Sequence, residues 1–111
     1  MDRFNSLKKN ADFQSVYRTG RSHANPYLVM YVRKRDGEGE NRVGISVSKK
    51  VGNSVVRHRL KRLIRESFRL NCGHALKGYD LVIIAREKSR GITYREITEA
   101  VVGLMKSHRL I

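Results

Sequence analysis

The segment from Tyr79 to Arg86 reads YDLVIIAR, with five consecutive apolar side chains from Leu81 to Ala85. A strand with one wet face alternates apolar and polar residues, whereas a continuous aliphatic run of this length is the pattern of a strand covered on both faces. The segment is therefore expected at the centre of a sheet. Two other segments have strand character. Tyr27 to Lys34 (YLVMYVRK) is rich in β-formers, and Arg42 to Lys49 (RVGISVSK) sets Val43, Ile45 and Val47 against Gly44, Ser46 and Ser48, the alternation of a sheet with one buried face. Between them Asp36 to Asn41 reads DGEGEN, an acidic, glycine-rich stretch expected as a solvated hairpin loop, so these two strands are expected to pair with each other. The only proline, Pro26, stands just ahead of the first strand.

Three helices complete the pattern. The first is expected from Asn10, as N-cap, to Gly20, with Phe13, Val16 and Tyr17 at i, i+3 and i+4 on one face. The second runs from Asn53 or Ser54 to Leu70. The third follows a capping-box spacing, Thr93 and Glu96, and carries Ile97, Ala100, Val101, Leu104 and Met105 as an apolar stripe. The order αββαβα gives an α+β sandwich. At 111 residues and 40% hydrophobic content, one domain spanning residues 1–111 is expected. No repeat, low-complexity tract or linker divides the chain.

The second helix has two faces. At about 100° per residue, Val56, Leu60, Leu63, Ile64 and Phe68 fall within an arc of roughly 140°, and His58, Arg59, Lys61, Arg62, Arg65 and Arg69 occupy roughly 160° opposite, with Arg57 at the border. The apolar arc can dock on a sheet and leave a plate of cations toward solvent, interrupted only by Glu66. An ordinary solvated face interleaves signs and gains a few tenths of a kcal/mol per i,i+4 pair; this face accumulates repulsion instead, as a partner surface does.

The partner follows from the charge. Lys and Arg number 24 against 10 Asp and Glu, a formal +14, and residues 41–70 alone carry nine basic side chains and one acid. Such a balance calls for a polyanion. Arg outnumbers Lys 15 to 9, and the planar guanidinium pairs with phosphate in bidentate fashion and stacks on bases, which favours nucleic acid over a lipid surface. The Gly52-Asn53-Ser54 entry to the helix offers backbone N–H groups as a further anion site beside Lys49 and Lys50, or simply a helix cap. No apolar run approaches the roughly 20 residues of a membrane span and no apolar signal core opens the chain, so a cytoplasmic protein without a membrane partner is expected. The single cysteine, Cys72, excludes an internal disulfide, and with His23, His58, His74 and His108 it forms no zinc-ligand spacing. Neither a general acid–base pair nor a carboxylate cluster for two metals is recognisable, which argues against a nuclease acting alone.

The run from Arg42 to Glu66, RVGISVSKKVGNSVVRHRLKRLIRE, closely resembles the signature of the bacterial ribonuclease P protein subunit. The opening Leu7 to Phe13 (LKKNADF), the strand ending in Tyr31 and the segment from Tyr79 to Arg86 are similar to that family in the same order. The resemblance implies a two-layer sandwich like the second domain of ribosomal protein S5, with a left-handed βαβ crossover that runs against the usual right-handed rule. It implies a protein that binds a catalytic RNA, stabilises it, broadens its substrate range and helps hold the 5′ leader of precursor tRNA, while hydrolysis depends on Mg²⁺ held mainly by the RNA. No protein residue is then catalytic and none binds metal. The family's basic motif falls on Arg57, His58, Arg59, Lys61, Arg62 and Arg65, which with Lys49, Lys50 and Asn53 are the expected contacts to the catalytic RNA. His58 departs from the family's usual Asn; both can donate and accept one hydrogen bond, but His lacks the amide's paired donor and acceptor.

A leader-binding cleft is the second implied site, with Phe13, Tyr17 and Tyr31 assigned to it by the resemblance. Single-stranded RNA is held by aromatic faces beside a charged track, and Phe13 with Tyr17, and Tyr27 with Val29 and Tyr31, share faces by their spacing. Spacing alone more often marks core packing than a base platform, and the resemblance reverses that for Tyr17 and Tyr31 more than for Phe13; Tyr27 is taken as packing. The expected partners are ribonuclease P RNA and the precursor leader, with no obligate protein partner. The alternative is a ribosomal or general structural RNA-binding protein without a role in cleavage, which would explain charge and fold class equally well.

Overall fold

The structure, a computed structural model, describes residues 4–36 and 39–111. In chain order the elements are strand β1 (Phe4–Ser6), helix α1 (Asn10–Thr19), strands β2 (Arg21–Ala24), β3 (Leu28–Lys34) and β4 (Asn41–Ser46), helix α2 (Ser54–Asn71), strand β5 (Tyr79–Ala85), a 3₁₀ turn (Glu87–Ser89) and helix α3 (Tyr94–Ser107). The five strands form one mixed sheet in the order β1-β4-β5-β3-β2. The α+β class expected from the element pattern is what forms.

β5 occupies the centre, as its apolar run requires. Leu81, Val82 and Ile83 have no exposed surface, and the alternation sends them to opposite sides. Leu81 and Ile83 join Leu28, Met30 and Val43 beneath Leu60, Ile64 and Phe68 of α2 and Ile97, Val101, Leu104 and Met105 of α3. Val82 joins Leu7 and Val16 on the other face, where α1 lies, flanked by Phe13, Tyr17, Tyr31 and Ile84. The amphipathic arc of α2 is thus docked through the side that leaves its cations outward.

The expected hairpin between β3 and β4 does not form. β3 pairs antiparallel with β5, Leu28 opposite Ala85 through Lys34 opposite Tyr79, and β4 pairs parallel with β5, Arg42 opposite Asp80 through Ser46 opposite Ile84. β5 is inserted between them because only a central position covers both its faces and both its edges. The link from Arg35 to Glu40 therefore spans two strand spacings, about 9.5 Å, with Arg35 N–H bonded to the Gly78 carbonyl at 2.9 Å. Of the DGEGEN stretch expected as a hairpin loop, Gly37 and Glu38 lie outside the described residues.

Two strands escaped the periodicity. β2 pairs antiparallel with β3 at one edge and all four of its residues are exposed; β1 pairs parallel with β4 at the other and has only three residues. Helix ends follow local chemistry. Lys9 rather than Asn10 is the N-cap of α1, with no side-chain cap bond, and Asn10 is the first helical residue. Asn53 caps α2 by accepting from the Val56 N–H at 3.0 Å. At α3 the Thr93–Glu96 box closes in both directions, Glu96 N–H to Thr93 Oγ1 and Thr93 N–H to Glu96 Oε1, each at 3.2 Å. α2 joins the neighbouring parallel strands β4 and β5, a βαβ unit whose helix carries the charge.

Candidate nucleic-acid interface

On α2 the side chains of His58, Arg59, Lys61 and Arg62 are exposed, and Arg57, Arg65 and Arg69 are half-buried. Several are held in place. Arg59 donates to the Ile92 carbonyl at 2.8 Å, Arg69 pairs with Glu66 at 2.6 Å, and Arg65 donates to Ser6 Oγ while its guanidinium lies 5.6 Å from the centre of the Phe4 ring. The one acid in the plate is therefore neutralised one turn along. Lys61, Arg62 and His58 make no hydrogen bond or ion pair among the described residues, so their donors face water or a ligand.

This face continues into two adjoining depressions. A groove of about 400 Å³ lies between β1 and α2, lined by Ser6, Leu7, Lys8, Val43 and Ile45 on the strand side and by His58, Lys61, Arg62 and Arg65 on the helix side. A cleft of about 320 Å³ adjoins it, with Asn10, Phe13 and Tyr17 from α1, Ile45, Ser46 and Val47 at the end of β4, and Lys8 and Lys61. Lys8, Ile45 and Lys61 line both. They exist as one trough because β1 ends at Ser6 and Leu7 N–H makes the last bond to β4, at the Val43 carbonyl, 2.9 Å. Beyond that point the edge of β4 is open.

The aromatic side chains sit as a relay rather than a row. Phe13 and Tyr17 are 6.4 Å apart between ring centres, and the half-exposed Tyr31 on β3 meets Tyr17 edge-to-face at 5.1 Å. Phe13 and Tyr17 line the cleft, and Tyr31 packs against Tyr17 at its side. Gly44 makes the Phe13 position possible, since a Cβ there would stand 2.5 Å from Phe13 Cζ. Burial, followed by the neighbouring Tyr31, raises the Tyr17 phenol, while a hydrogen bond with Ser46 acts in the opposite sense. Tyr17 is therefore a neutral phenol, half-buried.

The family profile described as Ribonuclease P matches residues 1–109. The chain belongs to the ribonuclease P protein family. A ribonuclease P protein component of Lachnoclostridium phytofermentans is 57% identical over 106 residues, covering 96% of this chain and 90% of that one. One of Clostridium novyi is 55% identical over 101 residues, covering 90% and 89%. Among solved structures, a Staphylococcus aureus RNase P protein superposes with a TM-score of 0.87 at 39% identity, over 95% of each chain. The Thermotoga maritima RNase P protein gives 0.83 at 34%, over 93% of this chain and 96% of that one. Membership makes this chain part of the ribonuclease P enzyme that processes tRNA 5′ ends, with ribonuclease P RNA as its partner.

Within a ribonuclease P protein the other expected RNA contacts are placed less centrally. Lys49 and Lys50 are exposed on the turn before α2, but Lys50 borders a separate depression with Ser48, Arg86 and Lys88. Asn53 is occupied as the α2 cap, so its side-chain oxygen is already used. Two carboxylates beside α1 are likewise committed: Asp80 to Arg42 and Arg35, and Asp12 to Arg42 at 3.6 Å. No group of three or more His, Cys, Asp or Glu that could hold a metal occurs among the described residues. Burial pushes the Cys72 thiol up to about 11, leaving it a packing residue. No helix among the described residues is long and apolar enough to cross a membrane.

Sequence reasoning missed Ser6, Leu7, Lys8 and Ile45 as lining residues. Three-residue β1 has no readable period, and only its early end opens the trough.

Proposed function

We propose that this chain holds the RNA of ribonuclease P on the cationic face of α2 and the 5′ leader of precursor tRNA in the aromatic cleft, so that hydrolysis occurs in the RNA at a correctly placed phosphodiester. The observation that carries this reading is the continuity of the two sites through Lys8, Ile45 and Lys61. The helix face supplies phosphate neutralisation through Arg57, Arg59, Lys61, Arg62 and Arg65, with the exposed His58 ring as a further hydrogen-bonding group among them. Lys49 and Lys50 extend the positive potential, and Asn53 acts mainly by keeping α2 capped. Phe13 and Tyr17 offer faces on which leader bases stack, and Tyr31 fixes Tyr17. By neutralising RNA phosphates the protein stabilises the ribozyme and lowers its need for Mg²⁺; by holding the leader it levels differences among precursors and broadens the substrate range. Mg²⁺ is held by the RNA, and the protein acts beside it in the cytoplasm.

The test is cleavage of a precursor tRNA at low Mg²⁺ by a bacterial ribonuclease P RNA, with and without the full-length chain, and by the chain alone. Cleavage at the mature 5′ end only when both are present is expected. RNA binding without stimulation would return the chain to structural RNA binding, and cleavage by the protein alone would overturn the assignment of chemistry to the RNA.

A further inference from the structure

The groove between β1 and α2 has a composition that phosphate neutralisation does not require. Its floor is apolar, the half-exposed Ile45 lying over the edges of the buried Leu7 and Val43, while its rim carries Lys8, Lys61, Arg62, Arg65 and His58. A plate for a duplex backbone needs only the rim. A depression of about 400 Å³ with an oily floor and a cationic rim has the amphipathic character of a nucleotide, with a flat base on one side and a phosphate on the other.

Two features prepare it for that guest. Arg65 is fixed at the rim between Ser6 Oγ and the Phe4 ring, which lowers the cost of ordering it, and guanidinium planes stack on unpaired bases. The Val43 carbonyl points toward β1, where it accepts from Leu7 N–H; by strand alternation the Ile45 N–H and C=O point the same way, past the end of β1. They give the open edge one donor and one acceptor within reach of a base.

We propose that this groove seats a single unstacked nucleotide of ribonuclease P RNA, its base on Leu7, Val43 and Ile45 and its phosphate among Lys61, Arg62 and Arg65. The catalytic RNA rather than the leader is the source, because the groove is walled by the α2 cations, whereas the adjoining cleft is the part lined by Phe13 and Tyr17. The proposal rests on the reading that this chain binds that RNA through α2. It makes the surface a reader of one extruded base as well as an electrostatic plate.

Methyl NMR on the full-length chain tests it, with Leu7 and Val43 reporting on the groove and Val47 on the aromatic cleft. Titration with the four nucleoside 5′-monophosphates should move Leu7 and Val43 and bind at least one of them about tenfold more tightly than inorganic phosphate, the order expected for one stacked base. Ile45→Ala should reduce that preference while leaving phosphate binding unchanged. In the complex, Leu7 and Val43 should shift on addition of ribonuclease P RNA alone and not again on addition of precursor tRNA. Equal affinity for all four nucleotides and phosphate with Leu7 and Val43 unmoved would overturn the proposal, as would shifts that appear only with the precursor. If ribonuclease P RNA fails to bind the chain at all, the underlying reading fails, a result distinct from RNA binding with a silent groove.

Discussion

Arg42 and Asp80 face each other across neighbouring parallel strands and form a two-pronged ion pair, Nε to Oδ1 at 2.8 Å and Nη2 to Oδ2 at 2.7 Å. Asp80 is fully buried, Arg35 approaches it at 3.3 Å, and the same Arg42 guanidinium reaches Asp12 on α1 at 3.6 Å. One side chain thus joins β4, β5 and α1, and sets the helix that carries Phe13 and Tyr17 over the sheet.

Arg42→Ala leaves the Asp80 carboxylate buried with only Arg35 beside it. A loss of about 3 kcal/mol in urea unfolding is expected, the lower end for breaking a buried pair. An apolar double replacement, Arg42→Met with Asp80→Leu, should recover part of it, because no uncompensated charge remains. A double variant as unstable as the single one would mean that the pair contributes through shape and not charge.

The two capped helices separate stability from binding. Asn53→Ala and Thr93→Ala should each cost about 1 kcal/mol. Only Asn53→Ala should also weaken RNA binding, because the first turns of α2 carry Arg57 and Arg59, whereas α3 covers the core. Parallel urea unfolding and filter-binding measurements compare them.

His108 gives the fold a pH dependence. Its Nε2–H donates to the Met30 carbonyl at 2.9 Å and its ring meets His23 edge-to-face at 4.5 Å. Burial lowers its pKa below the usual 6.5 and His23 acts in the same direction, outweighing the raising effect of the Met30 bond. The unfolded chain therefore takes up the proton more readily. Stability from neutral His108 is present above pH 6.5 and is lost as pH falls through that value, levelling once the folded ring also titrates. Urea unfolding at several pH values should show this decline, and His108→Gln, which keeps a donor, should flatten it. An unchanged pH profile in the variant would assign the decline to other groups.

The α2 face predicts the salt dependence of RNA binding. Neutralising about six phosphates gives a log–log slope of about −4 to −5. Arg62→Ala and Arg65→Ala should each reduce its magnitude by roughly one. Arg95→Ala on α3, whose side chain is 90% exposed and paired with Glu99, should leave it unchanged.

Much of this arrangement could be read from residue patterns, and the failures have definite causes. The apolar run of β5, the two faces of α2 and the capping box of α3 each encode burial locally, and each formed where expected. Strand pairing does not work that way: the alternation at Val43, Ile45 and Val47 says which face is buried but not which strand lies alongside, so β5 entering between β3 and β4 was invisible. β1 is too short and β2 too exposed to leave a period. The same gap hid part of the site. The cations of α2 and the aromatic residues of α1 were legible as separate sets, but Lys8 and Ile45, which join them, acquire their role only where β1 ends. Tyr31 was legible as an aromatic on the right face, yet its edge-to-face contact with Tyr17 depends on packing between β3 and α1.

Under the proposed function the cationic face and the aromatic cleft do different work. Affinity of the assembled enzyme for precursor and mature tRNA, measured with saturating protein in Ca²⁺ to suppress cleavage, tests it directly when Tyr17→Ala and Arg62→Ala are compared. Tyr17→Ala is predicted to lose about 1–3 kcal/mol of the preference for precursor while binding ribonuclease P RNA normally. Arg62→Ala is predicted to weaken RNA binding while keeping that preference once the complex is saturated. If both variants reduce the preference equally, or neither does, the division of the trough into an RNA-holding face and a leader-holding cleft is wrong.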